Sequence, residues 1–111
     1  MITTHVLDTA LGLPAAGVSV ILEMRQQTGW SPIARGITEA NGRLDTLMQG
    51  HETAPGTYRL TFDIGDYHRG QGINVPFFPE AKITFNVRDV GAHYHVPLLL
   101  SPYGYSTYRG A

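Results

Sequence analysis

His93 and His95 stand in an i, i+2 relation just ahead of an apolar run, Val96 to Leu100, that is broken only by Pro97. On a strand that spacing points both imidazoles to one face. Imidazole is the side-chain base best matched to neutral pH, so such a pair can move protons. His5, near the start of the chain, is a third imidazole on a strand-like segment. From residue type alone each of these histidines has two readings, a hydrogen-bonded surface residue or a catalytic base. For His93, nearer the strand start, a groove-edge or interface position is favoured. His93 and His95 could also form an H-x-H metal pair completed by His5, since a zinc site needs a third ligand and an open position. Arg43 argues against that, because a guanidinium in the same pocket repels a dication. Its planar donor fork suits instead a carbonyl edge or a developing oxyanion, and a cation beside imidazoles lowers their pKa. The plainer reading of Arg43 is an exposed charge that keeps a short strand soluble.

The elements that must position these groups are short strands. Gly and Pro punctuate runs of Val, Ile, Leu, Thr and Tyr at intervals of about ten residues, the pattern of a β-sandwich. Strands are expected at His5–Asp8, closed by Gly12-Leu13-Pro14-Ala15, at Val18–Met24, and at Trp30–Thr38 with an interruption near Pro32. Asn41-Gly42 is a two-residue turn signal leading into a short strand at Arg43-Leu44. Thr57–Phe62 and Ile83–Val87 alternate cleanly, and Ile64–Ile73 is the one stretch suited to a short helix. The tail gives two further strands, His93–Leu100 and Tyr105–Arg109, joined by a Ser101-Pro102-Tyr103-Gly104 turn. Roughly eight strands and one helix thus make residues 1–111 a single all-β domain, a two-sheet sandwich. Phe77-Phe78, between two prolines, reads as a plug over one end of the core, and Leu98-Leu99-Leu100 as mostly core. His51 and His68 sit among polar residues and read as solvent-facing.

Composition narrows the function. The 111 residues contain no cysteine, which removes disulfides, thiolate metal sites and a cysteine nucleophile. A net charge of −1 without a Lys/Arg cluster offers nothing to nucleic acid. No apolar run is long enough to span a membrane. The N-terminus goes straight into a strand pattern without a signal-like segment, so a cytoplasmic setting is expected. Ser101-Pro102 lacks a nucleophile-elbow context and is a turn initiator, not a serine nucleophile.

The tail HYHVPLLLSPYGYSTYRGA resembles the C-terminal signature of the transthyretin-like 5-hydroxyisourate hydrolases. Three more blocks carry the resemblance: His5–Ala10 with Gly12, Pro14 and Ala15; Thr38–Arg43; and Pro76-Phe77-Phe78-Pro79-Glu80. Their order and spacing extend the likeness over nearly the whole chain. The resemblance implies a transthyretin-like (prealbumin-like) sandwich that opens the ring of 5-hydroxyisourate in urate catabolism, with no metal and no organic cofactor. It implies His5, Arg43 and His95 as catalytic residues, at the groove positions where the hydrolases differ from the hormone carrier. Which of His5 and His95 is the base stays open. It also implies substrate binding by the terminal Tyr108, Arg109, Gly110 and Ala111, a segment that residue type alone would leave as a frayed end. The family tetrapeptide ends in serine, whereas residue 111 here is alanine, leaving Ser106 and Thr107 as nearby hydroxyls. A homotetramer is expected, with Ile83–Val87 and His93–Leu100 as the edges that pair across subunits. Two other readings compete: a small-ligand binding module of the same fold without turnover, and a plain adhesion sandwich, which would leave the His5/Arg43/His95 constellation unexplained.

Overall fold

Strand β1 (Ile2–Asp8) organises the computed structural model, which describes residues 1–111. Its residues alternate: Ile2, Thr4, Val6 and Asp8 face the core, and Thr3, His5 and Leu7 face the other side of the sheet. Along one edge β2 (Leu13–Pro14) and β5 (Arg43–Leu44) run antiparallel to it. Along the other, β8 (Tyr94–His95) and β9 (Leu98–Ser101) run parallel, and β10 (Gly104–Thr107) pairs with β9 as the outermost strand. The second sheet has the order β4-β3-β6-β7, formed by β3 (Ser19–Gln26), β4 (Gly29–Ile37), β6 (Gly56–Phe62) and β7 (Ala81–Val87). A single helix, α1 (Ile64–Gly70), links β6 to β7, its first turn capped by the Asp63 carboxylate accepting from the Asp66 N–H.

The core lies between the sheets. Ile2, Val6, Leu98 and Leu100 from the first sheet meet Val20, Leu22, Leu60 and Phe62 from the second, all essentially without solvent contact. Thr4 and Asp8, the buried polar residues of β1 on this side, both find partners. Thr4 donates to the Val96 carbonyl (2.6 Å), and Tyr67 donates to the buried Asp8 carboxylate (2.7 Å), whose other oxygen accepts from the Ala10 and Leu11 amides.

The two-sheet sandwich is as the sequence predicts, but with ten strands in place of eight. One addition is β2: Leu13-Pro14 follows a turn at Gly12 and pairs back onto β1. The other arises because Pro97 lacks an N–H, so the expected His93–Leu100 strand splits into β8 and β9. The interruption near Pro32 is a β-bulge. Leu22 pairs with Ala34 but Glu23 with Pro32, so Ile33 has no partner on β3, on an edge strand that tolerates it. Asn41-Gly42 does not make a two-residue type I′ turn, because no non-glycine residue has positive φ; only Gly42 does, at +80°. The turn runs from Glu39 to Gly42, closed by the Gly42 N–H on the Glu39 carbonyl (2.8 Å). The last strand stops at Thr107, short of Arg109. Ile83–Val87 lies within the edge strand β7, as expected, whereas β9 is interior and β10 takes the other edge. His68 is not solvent-facing: it lies on the inward side of α1, one turn after Ile64, at 1% exposure. Phe78 packs on the core, but Phe77 is 65% exposed, so only one of the two plugs it.

Candidate active site

Strand register brings the predicted groups to one place, the face of the first sheet turned away from the core. His5 is the cross-strand partner of Arg43 on β5, and Thr3, two residues earlier on the same face, is the partner of His95 on β8. On β5 Leu44 enters the core and Arg43 points out; on β8 Tyr94 enters the core and His95 points out. His5, Arg43 and His95 therefore form one array although they are far apart in sequence.

Local turn chemistry fixes the first two. The Asn41 side chain accepts the Arg43 amide (3.0 Å), while its backbone carbonyl lies 2.8 Å from His5 Nε2. A carbonyl only accepts, so His5 Nε2 carries the proton and Nδ1 of the neutral ring is the bare nitrogen. Gly42 is obligatory next to them: besides its positive φ, a Cβ there would collide with the Val6 carbonyl.

His95 is set differently. Its Nδ1 lies 2.8 Å from Thr3 Oγ1, and the same hydroxyl is 2.7 Å from His93 Nε2. Thr3, at 2% exposure, thus sits between two imidazoles whose rings are 6.0 Å apart, while His93 reaches solvent. Burial holds the pKa of His95 below the ordinary histidine value, with Arg43, His93 and His5 adding to the depression and Asp45 opposing it. His95 is accordingly neutral at pH 7, with Nε2 free of any partner within the chain. No three His, Asp or Glu side chains stand close enough together here to form a ligand set for a metal ion.

The tail divides around this centre. The Gly110 N–H donates to the His95 carbonyl (2.8 Å), an isolated antiparallel bridge that lays the glycine against the imidazole. Arg109 turns the other way, its guanidinium 4.5 Å above the Tyr94 ring. Tyr108 and Arg109 line a separate groove with Ile83, Phe85 and Val96, beside β7. Ala111 follows Gly110 at the exposed end of the bridge. Sequence reasoning missed Thr3, Asp45 and the double role of Asn41. Thr3 alone carried a signal, its i, i+2 spacing to His5 on one strand face.

A sandwich with an imidazole–guanidinium array on the outer face of one sheet has the architecture of a transthyretin-like domain with a polar groove. Residues 2–110 match the HIUase/Transthyretin family, and the chain belongs to that family. A 5-hydroxyisourate hydrolase of Rhizobium meliloti is 48% identical over 99% of this chain and 95% of its own length. One from Salmonella dublin is 43% identical over all of this chain and 81% of its own length. Among solved structures, a Klebsiella pneumoniae 5-hydroxyisourate hydrolase superposes with a TM-score of 0.87 at 34% identity, covering 99% of this chain and 97% of that one. Sea bream transthyretin in complex with thyroxine superposes with a TM-score of 0.91 at 32% identity, covering 99% and 94%.

Proposed function

We propose that this protein hydrolyses 5-hydroxyisourate, opening its six-membered ring to 2-oxo-4-hydroxy-4-carboxy-5-ureidoimidazoline in urate catabolism. The observation that carries the reading is His95: a neutral imidazole with a free Nε2 beside the Arg43 cation, on a chain whose relatives of similar length are hydrolases for this substrate. His95 Nε2 takes a proton from water, and the hydroxide adds to the ring carbonyl. Arg43 donates to the oxyanion that forms. The C–N bond then breaks, and the proton held by His95 goes to the departing nitrogen, so each turnover consumes one water and leaves the enzyme unchanged. No hydrogen bond joins His5 to His95. With its Nε2–H on Asn41, His5 offers Nδ1 as an acceptor for a substrate N–H.

The site lies on an open sheet face, and β7 and β10 are edge strands, each paired within the chain on one side only. We include in the proposal a homotetramer built by edge pairing, in which a second copy covers the groove, and the cytoplasmic setting expected from the sequence. Light scattering that returns a monomer mass at micromolar concentration would overturn the assembly.

The function is tested by generating 5-hydroxyisourate from urate with uricase and following the decay of its near-UV absorbance. The protein is expected to accelerate that decay, and His95→Asn to lower turnover by ~100-fold or more while the fold survives. Superposition on a thyroxine-bound transthyretin and the alanine at position 111 favour a second reading, a ligand carrier without turnover. A decay at the spontaneous rate would select it.

A further inference from the structure

We propose that Thr3 and His93 form a reversible proton relay behind His95, which lets His95 serve first as the base and then as the acid. The inference rests on the hydrolytic reading above and adds two residues that this reading does not use. Its basis is one buried hydroxyl held within hydrogen-bond distance of two ring nitrogens, Thr3 Oγ1 to His95 Nδ1 (2.8 Å) and to His93 Nε2 (2.7 Å).

A hydroxyl has one proton to donate and lone pairs to accept. Thr3 could accept from both imidazoles only by leaving its own buried O–H unpaired, so with every group satisfied it donates to one and accepts from the other, and the chain of hydrogen bonds has two orientations. In the first, His95 Nδ1–H donates to Thr3 and Thr3 donates to His93 Nε2; His95 Nε2 is then bare. In the second, His93 Nε2–H donates to Thr3 and Thr3 donates to His95 Nδ1; His95 Nε2 then carries hydrogen. The first orientation is a base facing the groove, and the second an acid.

The two orientations interconvert by proton transfer that balances. His95 Nε2 takes a proton from the attacking water. His95 Nδ1 passes its own proton to Thr3 Oγ1, and Thr3 passes its original proton to His93 Nε2. The positive charge thus moves from His95 to His93, which is exposed and can lose Nδ1–H to bulk solvent. His95 is left neutral with hydrogen on Nε2, ready for the leaving nitrogen. As His95 delivers that hydrogen, Thr3 passes its proton to His95 Nδ1, His93 Nε2 passes its own to Thr3, and a proton from solvent enters at His93 Nδ1, so the chain is reset and no ring is left as an anion.

Electrostatics favour the outward direction. His95 faces Arg43, His5 and His93, all of which disfavour a charge on it, against Asp45 alone, which favours one. An imidazolium held at His95 would stand beside the Arg43 guanidinium in a partly desolvated pocket. Moving the charge to the exposed ring relieves both penalties. Thr3 and His93 touch no substrate in this scheme; they position the proton on His95.

Three variants of the protein test the relay: Thr3→Val, which keeps the shape and removes the hydroxyl, Thr3→Ser, which restores it, and His93→Gln. Thr3→Val and His93→Gln are each expected to lower kcat about tenfold with little change in KM, less than the loss of the base because His95 remains. Thr3→Ser is expected to recover most of the loss. Either Thr3→Val or His93→Gln running at the parent kcat overturns the relay, as does a Thr3→Ser protein as slow as Thr3→Val. His93 is exposed, so His93→Gln decides the matter even if Thr3→Val fails to fold. Imidazole 15N NMR gives a readout that needs no turnover: in the parent, protonating His93 should change the tautomer of His95, and Thr3→Val should abolish that coupling. A parent protein with no hydrolase activity but coupled histidines would refute the proposed substrate and leave the relay standing. Uncoupled histidines in the parent would refute the relay whatever the activity.

Discussion

Gly110 is the residue whose replacement probes the site most directly. It is not among the glycines with positive φ, so alanine there brings no backbone strain. The demand for glycine is steric: an added Cβ would lie 2.5 Å from His95 Cδ2, 3.2 Å from Cγ and 3.3 Å from Cβ. Carbon atoms rest at about 3.5–4.0 Å, so one partner must retreat by about 1 Å. If the tail retreats, it gives up the Gly110–His95 backbone bond and the Arg109–Tyr94 stacking, together about 1–2.5 kcal/mol. If the ring retreats, it gives up its bond to Thr3, about 1 kcal/mol. The ring is the weaker partner. Gly110→Ala is therefore expected to displace His95 and lower kcat by roughly 10- to 100-fold, the scale of a 1 Å misplacement. Thermal unfolding should shift by only a few degrees, because the core is untouched. Kinetics by the absorbance assay, with a melting curve on the same sample, check both. Full activity with an unchanged melting temperature would refute the claim that this contact sets the imidazole.

Two charge changes should move the acid limb of the pH–rate profile in opposite directions. Arg43 holds the His95 pKa down and Asp45 holds it up, so Arg43→Met should shift the limb to higher pH and Asp45→Asn to lower pH, read from kcat/KM between about pH 5 and 8. In the parent the limb should lie below about pH 6.5, the ordinary histidine value, since a depressed pKa keeps the base neutral into mild acid. Ala111→Ser should raise catalytic efficiency by roughly 5- to 30-fold if a terminal hydroxyl adds a hydrogen bond of about 1–2 kcal/mol to substrate or water, with thermal stability unchanged. A serine variant no faster than the parent would show that position 111 takes no part.

The sheets were legible in the sequence because strand faces repeat every second residue. Ile2, Val6, Tyr58, Leu60 and Phe62 fall where that alternation puts a core. A chain break was legible where glycine chemistry is local, as at Gly42, whereas the break at Pro97 was read through as one strand although the missing N–H was the available clue. What periodicity could not give is register, because pairing between distant strands leaves no mark on either strand alone. Thr3 is an ordinary strand threonine until β8 lies alongside it, and Asp45 is an ordinary loop acid until β5 is paired with β1. The same holds for Arg109, whose neighbour Gly110 meets His95 while the guanidinium turns to Tyr94. His68 was misread for another reason. Its polar neighbours mask a helical face, and the Ile64/His68 spacing of i, i+4 was the available clue.

The placement of chemistry on β1 separates stability from function. Even-numbered residues build the core, and odd-numbered Thr3 and His5 build the site, so a one-residue slip of this strand would bury the site residues and expose Ile2 and Val6. The hydrophobic cost of that slip protects the geometry of the groove without any contribution from the proposed catalytic groups themselves. It follows that variants at His5, Arg43 and His95 should change rates and pH profiles while the sandwich stays folded. The exceptions are Gly42 and Gly110, where backbone and site meet at contact distance. There the same atoms set the path of the chain and the position of a functional side chain, and a single methyl group perturbs both.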